Sequence, residues 1–378
     1  MRSFLKADEV KGKIRSLVEA MFATIPTGVG TKGRIALSPK DQQDVVVKGV
    51  RWAVDKGYGE EDDLTYIEDN GCIEGADPDK ISQKAYKRGE RQLGTLGSGN
   101  HFLEIQFVEE IYDDAAAKAF GLEKDQVTVM IHTGSRGFGH QVCTDYLVIL
   151  EKAVRKYGIH VPDRQLACAP INTKEAGDYL AAMRGAANYA FTNRHCLMHW
   201  TKDVFQRVLR IGPRELGMSL VYDVAHNIVK IEKHKIDGKT FRLAVHRKGA
   251  TRAFAPGRPE IPRDYQSVGQ PVLIPGDMGR CSYVLAGTEK AMDETFGSTC
   301  HGAGRLLSRH AAKRLAKGRA INRELESRGI FVKSSGATTL KEEMSEAYKD
   351  ISDVVHVVDS SGISKKVVKL KPLGNIKG

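Results

Sequence analysis

Four histidines share a local context that suits chemistry. His101, His132, His226 and His301 each enter or follow an apolar run typical of a strand, and each adjoins glycine, asparagine or serine. A histidine buried only for packing needs a hydrogen-bond partner and normally occurs singly. Four of them at strand ends therefore predict one common pocket, whose imidazoles would suit one or two borderline metal ions.

His301 lies in the run Ser-Thr-Cys-His-Gly-Ala-Gly-Arg, residues 298–305, and a basic segment with apolar residues at helical spacing follows it. This pattern predicts a glycine loop that opens a helix running to about residue 328. The free N–H groups at such a helix start would favour a phosphate. A histidine there could act as a base, a metal ligand or a phosphate-accepting nucleophile, and a loop histidine without chemistry is the plain alternative.

Basic residues accompany these motifs, and the chain carries a net charge of +11 with a pI near 9.2. A polyanionic partner is therefore plausible, because neutralising phosphates releases counterions. Metal, phosphate and a nucleophilic histidine together point to phosphoryl or nucleotidyl transfer, although a metal hydrolase of phosphate esters would look similar. The residues that could bind phosphates are Arg136, Arg247, Lys248, Arg252, Arg305 and Arg309.

The composition is that of an ordinary globular protein, with 41% hydrophobic and 28% charged residues. No apolar run approaches the ~20 residues that span a membrane, and the N-terminus lacks a signal-peptide core. The six cysteines are scattered without a Cys-x-x-Cys pair. We therefore expect reduced thiols in a cytoplasmic protein that does not contact a membrane.

Periodicity and turn residues predict the elements that must position these side chains. Helices are predicted over residues 8–22, 41–56, 78–88 and 175–211, with another between His132 and about residue 157. Strands are predicted after residue 101, over 126–132, in the apolar run before His226, and over 241–245, 273–279, 282–288, 330–333, 353–358 and 366–371. No repeat or linker is present, so one domain is expected.

Five longer runs carry a resemblance to a known family. They are Gly-Ser-Gly-Asn-His-Phe-Leu-Glu (97–104), His-Thr-Gly-Ser-Arg-Gly (132–137), Asp-Val-Ala-His-Asn (223–227), His-Arg-Lys-Gly-Ala-Thr-Arg (246–252) and the His301 run (298–305). In order, and over essentially the whole chain, they closely resemble the RtcB family of RNA-splicing ligases. The resemblance implies an α+β fold, with mixed β-sheets flanked by helices in a single domain over residues 1–378.

The resemblance also implies a reaction. The family joins an RNA end bearing a 2′,3′-cyclic phosphate or 3′-phosphate to a 5′-hydroxyl, in tRNA splicing or RNA repair, using GTP and manganese. His301 would be the nucleophile that takes GMP as a phosphoramidate, and His101, His132 and His226 would be manganese ligands. Arg136, Arg305 and Arg309 are our candidates for binding RNA phosphate.

A further set of residues would, by the same resemblance, line the guanylate pocket. Phe102 and Tyr348 could stack on a base, and Glu104 could accept from the guanine N1–H and N2–H₂ groups. The set is Asn100, Phe102, Glu104, His226, Asn227, Pro275, Gly276, Asp277, Met278, Ser282, His301, Gly302, Ala303, Gly304, Tyr348 and Lys377. The implied partners are tRNA halves or broken RNA, with an archease-type activator as a further one.

One departure from the family concerns its upstream segment, Asp-Ile-Asn-Cys-Gly-Val-Arg, whose Asp and Cys also bind manganese. This chain begins just beyond that point, so it is expected to be N-terminally truncated relative to the family. We expect the metal-binding Asp-x-x-Cys to be missing, the second of two manganese sites to be incomplete, and an apolar groove to be exposed near the N-terminus. An upstream fragment acting in trans and a shortened gene remain open explanations. An RNA-binding fragment without ligation activity and a manganese-dependent phosphoesterase remain the alternatives to an active ligase.

Overall fold

A seven-stranded sheet forms the centre of the protein, and the computed structural model describes residues 1–378. The strands of the protein are β1 (Arg2–Lys6), β2 (Phe102–Ile111), β3 (Gln126–His132), β4 (Asn227–Ile236), β5 (Lys239–Lys248), β6 (Ala250–Arg252), β7 (Pro271–Ile274), β8 (Ser282–Gly287), β9 (Ser298–Cys300), β10 (Phe331–Ser334) and β11 (Ser364–Lys377). The main sheet has the order β1-β3-β2-β11-β8-β7, and β10 pairs with β11 in parallel. Two antiparallel pairs, β4–β5 and β6–β9, stand outside it.

Helices cover both faces of this sheet. They are α1 (Ala7–Lys11), α2 (Ile14–Thr24), α3 (Pro39–Lys48), α4 (Val50–Asp55), α5 (Gln83–Gly89), α6 (Asp114–Phe120), α7 (Arg136–Lys156), α8 (Lys174–Leu209), α9 (Pro213–Leu216), α10 (Glu289–Thr295), α11 (Arg309–Leu315), α12 (Ile321–Glu326), α13 (Ala337–Glu342) and α14 (Ile351–Ser360). Short 3-10 helices lie at Glu61–Tyr66, Glu68–Gly71, Pro78–Lys80, Arg164–Leu166, Arg263–Tyr265 and Ser345–Ala347. No helix of the protein combines the length and the apolar character that crossing a membrane requires.

Side chains of β2 alternate between two cores, as the two-residue period of a strand dictates. Leu103 and Ile105 face the larger core, where α2, α7 and α8 pack. Phe102 joins the second core on the opposite face. Glu104 shares the Phe102 face, which places a buried carboxylate beside an aromatic ring at one end of the sheet. The predicted α+β fold, with mixed β-sheets flanked by helices, is confirmed, since β10 pairs in parallel and the other strand pairs are antiparallel.

Several predicted elements differ from the structure. The helix expected over 41–56 is broken at Gly49, whose φ is +55° and where a Cβ would stand 2.1 Å from the Gly71 carbonyl oxygen. The helix expected after His301 starts only at Arg309, where the Ser308 hydroxyl caps it. The loop does not open a helix directly, so the prediction that a helix starts at this loop is wrong.

Two predicted strands are also wrong. Residues 353–358 belong to α14, because Asp350 caps that helix and Ile351 and Val355 fall on one buried face. Their β-branched neighbours suggested a strand, but packing of an amphipathic face decides the element. The apolar run before His226 is not a strand, and strand β4 begins after His226, at Asn227.

Candidate active site

Strand pairing brings His101 and His132 together. In the antiparallel register of β2 and β3, Phe102 lies opposite His132, so the residue preceding Phe102 reaches the same end of the sheet. The ring centroids of His101 and His132 are 5.8 Å apart, and the Phe102 ring meets that of His132 edge-on at 5.6 Å.

A largely buried ion pair, Arg194 with Asp223, lies next to His226. Arg194 of α8 donates from Nε to Asp223 Oδ1 at 2.7 Å and from a terminal nitrogen to the Thr133 carbonyl at 3.1 Å. The guanidinium therefore fastens the segment before His226 to the segment after His132. The two Nε2 atoms of these histidines lie 3.4 Å apart.

His301 completes the cluster from another direction. Strand β9 pairs with β6 and delivers His301 at its end, where the ring stacks on that of His226 with centroids 4.7 Å apart and planes 16° apart. Gly249, with φ +71°, lies opposite the ring, and a Cβ there would be 3.8 Å from His301 Nε2. The four histidines thus form one continuous row of neighbouring rings.

Burial keeps these imidazoles neutral. Loss of solvation lowers the pKa of His101 to about 3 and that of His226 to about 2. Burial also lowers the pKa of His132 and, with the charge of Lys248 adding to it, that of His301. Both metal ligation and nucleophilic attack need the unprotonated ring, so the site holds its histidines in the reactive form at neutral pH.

The site fits a metal ion only in part. The His132 and His226 Nε2 atoms are 3.4 Å apart, about the spacing of two imidazoles sharing one ion at ~2.1 Å in tetrahedral geometry. His101 Nδ1 instead lies 3.5 Å from the Thr133 hydroxyl. No three His, Cys, Asp or Glu side chains are arranged to hold one ion.

An Asp-x-x-Cys sequence does occur, at Asp69–Cys72. Both side chains are engaged away from the histidines. The Asp69 carboxylate accepts from the Lys230 ammonium, and the Cys72 thiol donates to the Val47 carbonyl at 3.0 Å. The pair therefore does not replace the metal ligands expected to be missing.

The expectation of an exposed apolar groove near the N-terminus stays a prediction. A mostly apolar cavity of about 120 Å³ extends from Met1 and Val129 past Leu220 to His132 and His226. It shares His132, Pro275 and His301 with the cavity described next.

A second cavity of about 280 Å³ opens beside His301. Thirteen of the residues predicted for the guanylate pocket line it: Asn100, Phe102, Glu104, Pro275, Gly276, Asp277, Met278, His301, Gly302, Ala303, Gly304, Tyr348 and Lys377. His226 and Asn227 lie outside this cavity and line a neighbouring groove instead. Ser282 lies beneath the floor, where its hydroxyl accepts from the Gly276 N–H at 3.2 Å.

Three buried carboxylates line this pocket, those of Glu104, Asp277 and Glu343. Glu104 accepts from the amides of Gln106 and Asn375, and burial raises its pKa to about 7. Glu343 accepts from the Tyr348 hydroxyl and lies 3.7 Å from the Lys377 ammonium. Burial lowers the pKa of Lys377, although these carboxylates oppose the shift.

The three candidate RNA arginines have different surroundings. Arg136 donates to the Thr95 hydroxyl and the Gly28 carbonyl, both at 2.9 Å. Arg305 is bonded through all three nitrogens, to the Leu307 and Glu342 carbonyls and to the side chains of Glu343 and Tyr348. Arg309, whose side chain is 56% exposed, retains the most freedom to bind a phosphate.

Arg247 and Arg252, which the sequence offered as phosphate ligands, are buried and bonded internally. Arg247 pairs with Glu232 at 2.6 Å, and Arg252 donates to Gln270 at 2.7 Å. Both guanidinium groups are therefore engaged within the fold, and neither lines the cavity beside His301.

Sequence reasoning missed Arg194, Glu343 and Asn375. Charged residues in helices are usually solvated, and the pairing of Arg194 with Asp223 joins positions that are 29 residues apart. No local pattern marks such a contact. Of the three, Asn375 was the easiest to predict from the sequence, because pairing β2 with β11 places it opposite Glu104.

Comparison with known proteins decides the family. The family model described as tRNA-splicing ligase RtcB matches residues 1–378. The chain belongs to the RtcB family. It is 56% identical over 378 residues to the tRNA-splicing ligase RtcB of Archaeoglobus fulgidus and 52% identical to that of Thermococcus kodakarensis, covering 100% of this chain and 78% of each relative. The Pyrococcus abyssi protein of the same name is 54% identical over 378 residues, and the chain spans 41% of its length.

Proposed function

We propose that this RtcB-family chain catalyses GTP- and manganese-dependent joining of RNA ends through a guanylylated His301. A 2′,3′-cyclic phosphate or 3′-phosphate would be joined to a 5′-hydroxyl, in tRNA splicing or RNA repair. The observation that carries the proposal is the position of His301, whose neutral imidazole ends the histidine row and lines a nucleotide-sized pocket.

The first step would be attack of the unprotonated His301 ring nitrogen on the α-phosphorus of GTP. An N–P bond forms, the bond from the α-phosphorus to the bridging oxygen breaks, and pyrophosphate leaves. The stack on His226 fixes the ring plane, and Gly249 leaves the approach to Nε2 open. Lys377 and Arg309 line the pocket and supply positive charge for the phosphates.

Manganese would be held by His132 and His226, whose spacing suits one ion. His101 is the third imidazole that the family resemblance implies, although its Nδ1 lies by the Thr133 hydroxyl here. Bound there, the ion would neutralise charge that develops on the phosphate oxygens. The chain contributes neutral rings, held in place by the Arg194–Asp223 pair. Two dications would need anionic ligands in addition to these three neutral rings.

The direct test is ligation of an RNA carrying a 2′,3′-cyclic phosphate to one carrying a 5′-hydroxyl, with GTP and manganese. Sealed product that depends on GTP supports the proposal. Removal of the cyclic phosphate without sealing and without a protein–GMP adduct would instead identify a phosphoesterase. RNA binding with neither reaction would identify a non-catalytic RNA-binding protein.

Glu104 should make GTP binding depend on pH. A carboxylate accepts from guanine only when ionised, and burial raises this pKa to about 7. GTP affinity should therefore increase as the pH rises from about 6 to about 8 and the carboxyl loses its proton. The Glu104→Gln variant should bind GTP more weakly, and its GTP affinity should no longer increase between pH about 6 and about 8. Calorimetric titration measures the GTP affinity of both proteins across that pH range. An identical pH profile in the variant would contradict the role of Glu104 as the acceptor for guanine.

His132→Ala should weaken manganese binding at least about tenfold, since even the indirect supports of a metal ligand contribute 10–100-fold. His199→Ala is the matched control, because its imidazole lies beside Asp203 and Tyr58, outside the cluster. Manganese titration followed by electron paramagnetic resonance measures the free ion directly. Equal affinity in both variants would remove His132 from the metal site.

A further inference from the structure

We propose that the outer face of the β4–β5 hairpin, with the groove at its base, binds the single-stranded RNA that leads away from the reacting end. This inference rests on the proposed function and adds a location for the substrate. The groove, of about 480 Å³, runs between α7, α8 and the hairpin. Its lining includes His226 and Asn227, so it is continuous with the histidine row.

The charge of this groove suits a polyanion. None of its lining residues is acidic, and its cations are Arg194, Arg247 and Lys248. Arg194 and Arg247 are paired with Asp223 and Glu232, so the unpaired charge of the groove comes from the exposed Lys248, with the titratable His246 beside it. Its apolar walls come mainly from small residues of α8 and from Tyr179 and Val229, which gives room for riboses and bases. An acidic protein partner would match the charge as well, but an open, narrow groove leading from the catalytic histidines fits a strand better than a folded surface.

The exposed face of the β4–β5 hairpin carries further positive charge. On its exposed face, Lys233, Lys235, Arg242 and Lys248 have no carboxylate within ion-pair distance, and Asp237 at the tip pairs with none of them. With a rise of about 3.3 Å per residue, this face is roughly 25 Å long.

The opposite face of the same hairpin contrasts with it. There Lys230 lies 3.4 Å from Glu68, and Arg247 lies 2.6 Å from Glu232. The strands therefore neutralise the cations that face the protein and leave those that face solvent without partners.

One cross-strand pair of cations on the exposed face favours a bound anion. Lys233 lies directly opposite Arg242 in the antiparallel register, and both are exposed. Like charges in that position destabilise a sheet. An anion bound between them would remove the repulsion, so the pair is unfavourable in the free hairpin and favourable in a complex with phosphate.

The test replaces Lys233 and Arg242 together by glutamine and measures binding of a single-stranded RNA at several salt concentrations. Removing two phosphate contacts from a single strand should reduce the slope of log affinity against log salt by about 1.4. The control is Lys11→Gln with Lys13→Gln, which removes the same charge from exposed residues outside any ion pair. Because the like-charge pair is relieved, the melting temperature of the hairpin variant should stay equal or increase.

Different results would contradict the RNA surface and the proposed function. Formation of the protein–GMP adduct needs no RNA, so the hairpin variant should form it at the wild-type rate. An unchanged salt slope with normal adduct formation would overturn the RNA surface alone. Normal RNA affinity together with lost binding of an acidic protein would reassign the face to that class of partner, and absence of any adduct in the wild type would overturn the proposed function.

Discussion

Replacing His301 with alanine should abolish the covalent GMP adduct while leaving the protein folded. His301 is half-buried and makes no side-chain hydrogen bond within range, so its loss removes little packing. His132 also lines the nucleotide-sized pocket, but it is proposed as a metal ligand. Loss of His301 as the nucleophile should therefore reduce labelling below detection. Incubation with α-labelled GTP and manganese, followed by denaturing electrophoresis, measures the adduct.

His310→Ala is the matched control for this experiment. His310 lies nine residues further along the chain in α11, is exposed, and does not line the pocket. It should label as the wild type does. Wild-type labelling of the His301 variant would show that another residue accepts GMP.

Replacing Glu232 with alanine should lower the free energy of unfolding by about 3–5 kcal/mol, because it leaves a buried guanidinium without its partner. Glu232 accepts from Arg247 at 2.6 and 2.9 Å, and both side chains are buried. The same guanidinium donates to the Ser298 hydroxyl and the Phe296 carbonyl, both at 3.0 Å. Those residues enter β9, so the ion pair also fixes the strand that delivers the nucleophile.

Denaturant unfolding of the wild type, Glu232→Ala and Glu260→Ala measures how much free energy of unfolding each substitution removes. Glu260 pairs with Arg258 on the surface, and an exposed pair contributes only about 0–1 kcal/mol. Similar losses in the two variants would show that the Glu232–Arg247 pair does not stabilise the fold as a buried pair should.

The sequence predicted the parts of the site that follow from local pattern. Strand alternation put Phe102 and Glu104 on one face, and adjacent strand ends brought His101 and His132 together. What it missed depends on contacts between distant residues. His226 was placed at the end of a strand, but its position depends on Arg194, which lies on a helix.

Two further failures have physical causes. The valines of residues 354–358 suggested a strand, yet α14 forms because one face of a helix there is buried. The sequence did not single out Glu343, because no local pattern marks its burial where Arg305, Tyr348 and Lys377 meet. In both cases tertiary packing overrode the local pattern.

The most direct test of the central claim is to map where GMP is attached. The chain is incubated with GTP and manganese, digested under alkaline conditions that preserve a phosphoramidate, and analysed by tandem mass spectrometry. The account predicts a single modified peptide spanning residues 298–305, with the guanylate on the His301 ring. A guanylate on any other residue, or an unmodified His301 peptide in a protein that seals RNA, would contradict it.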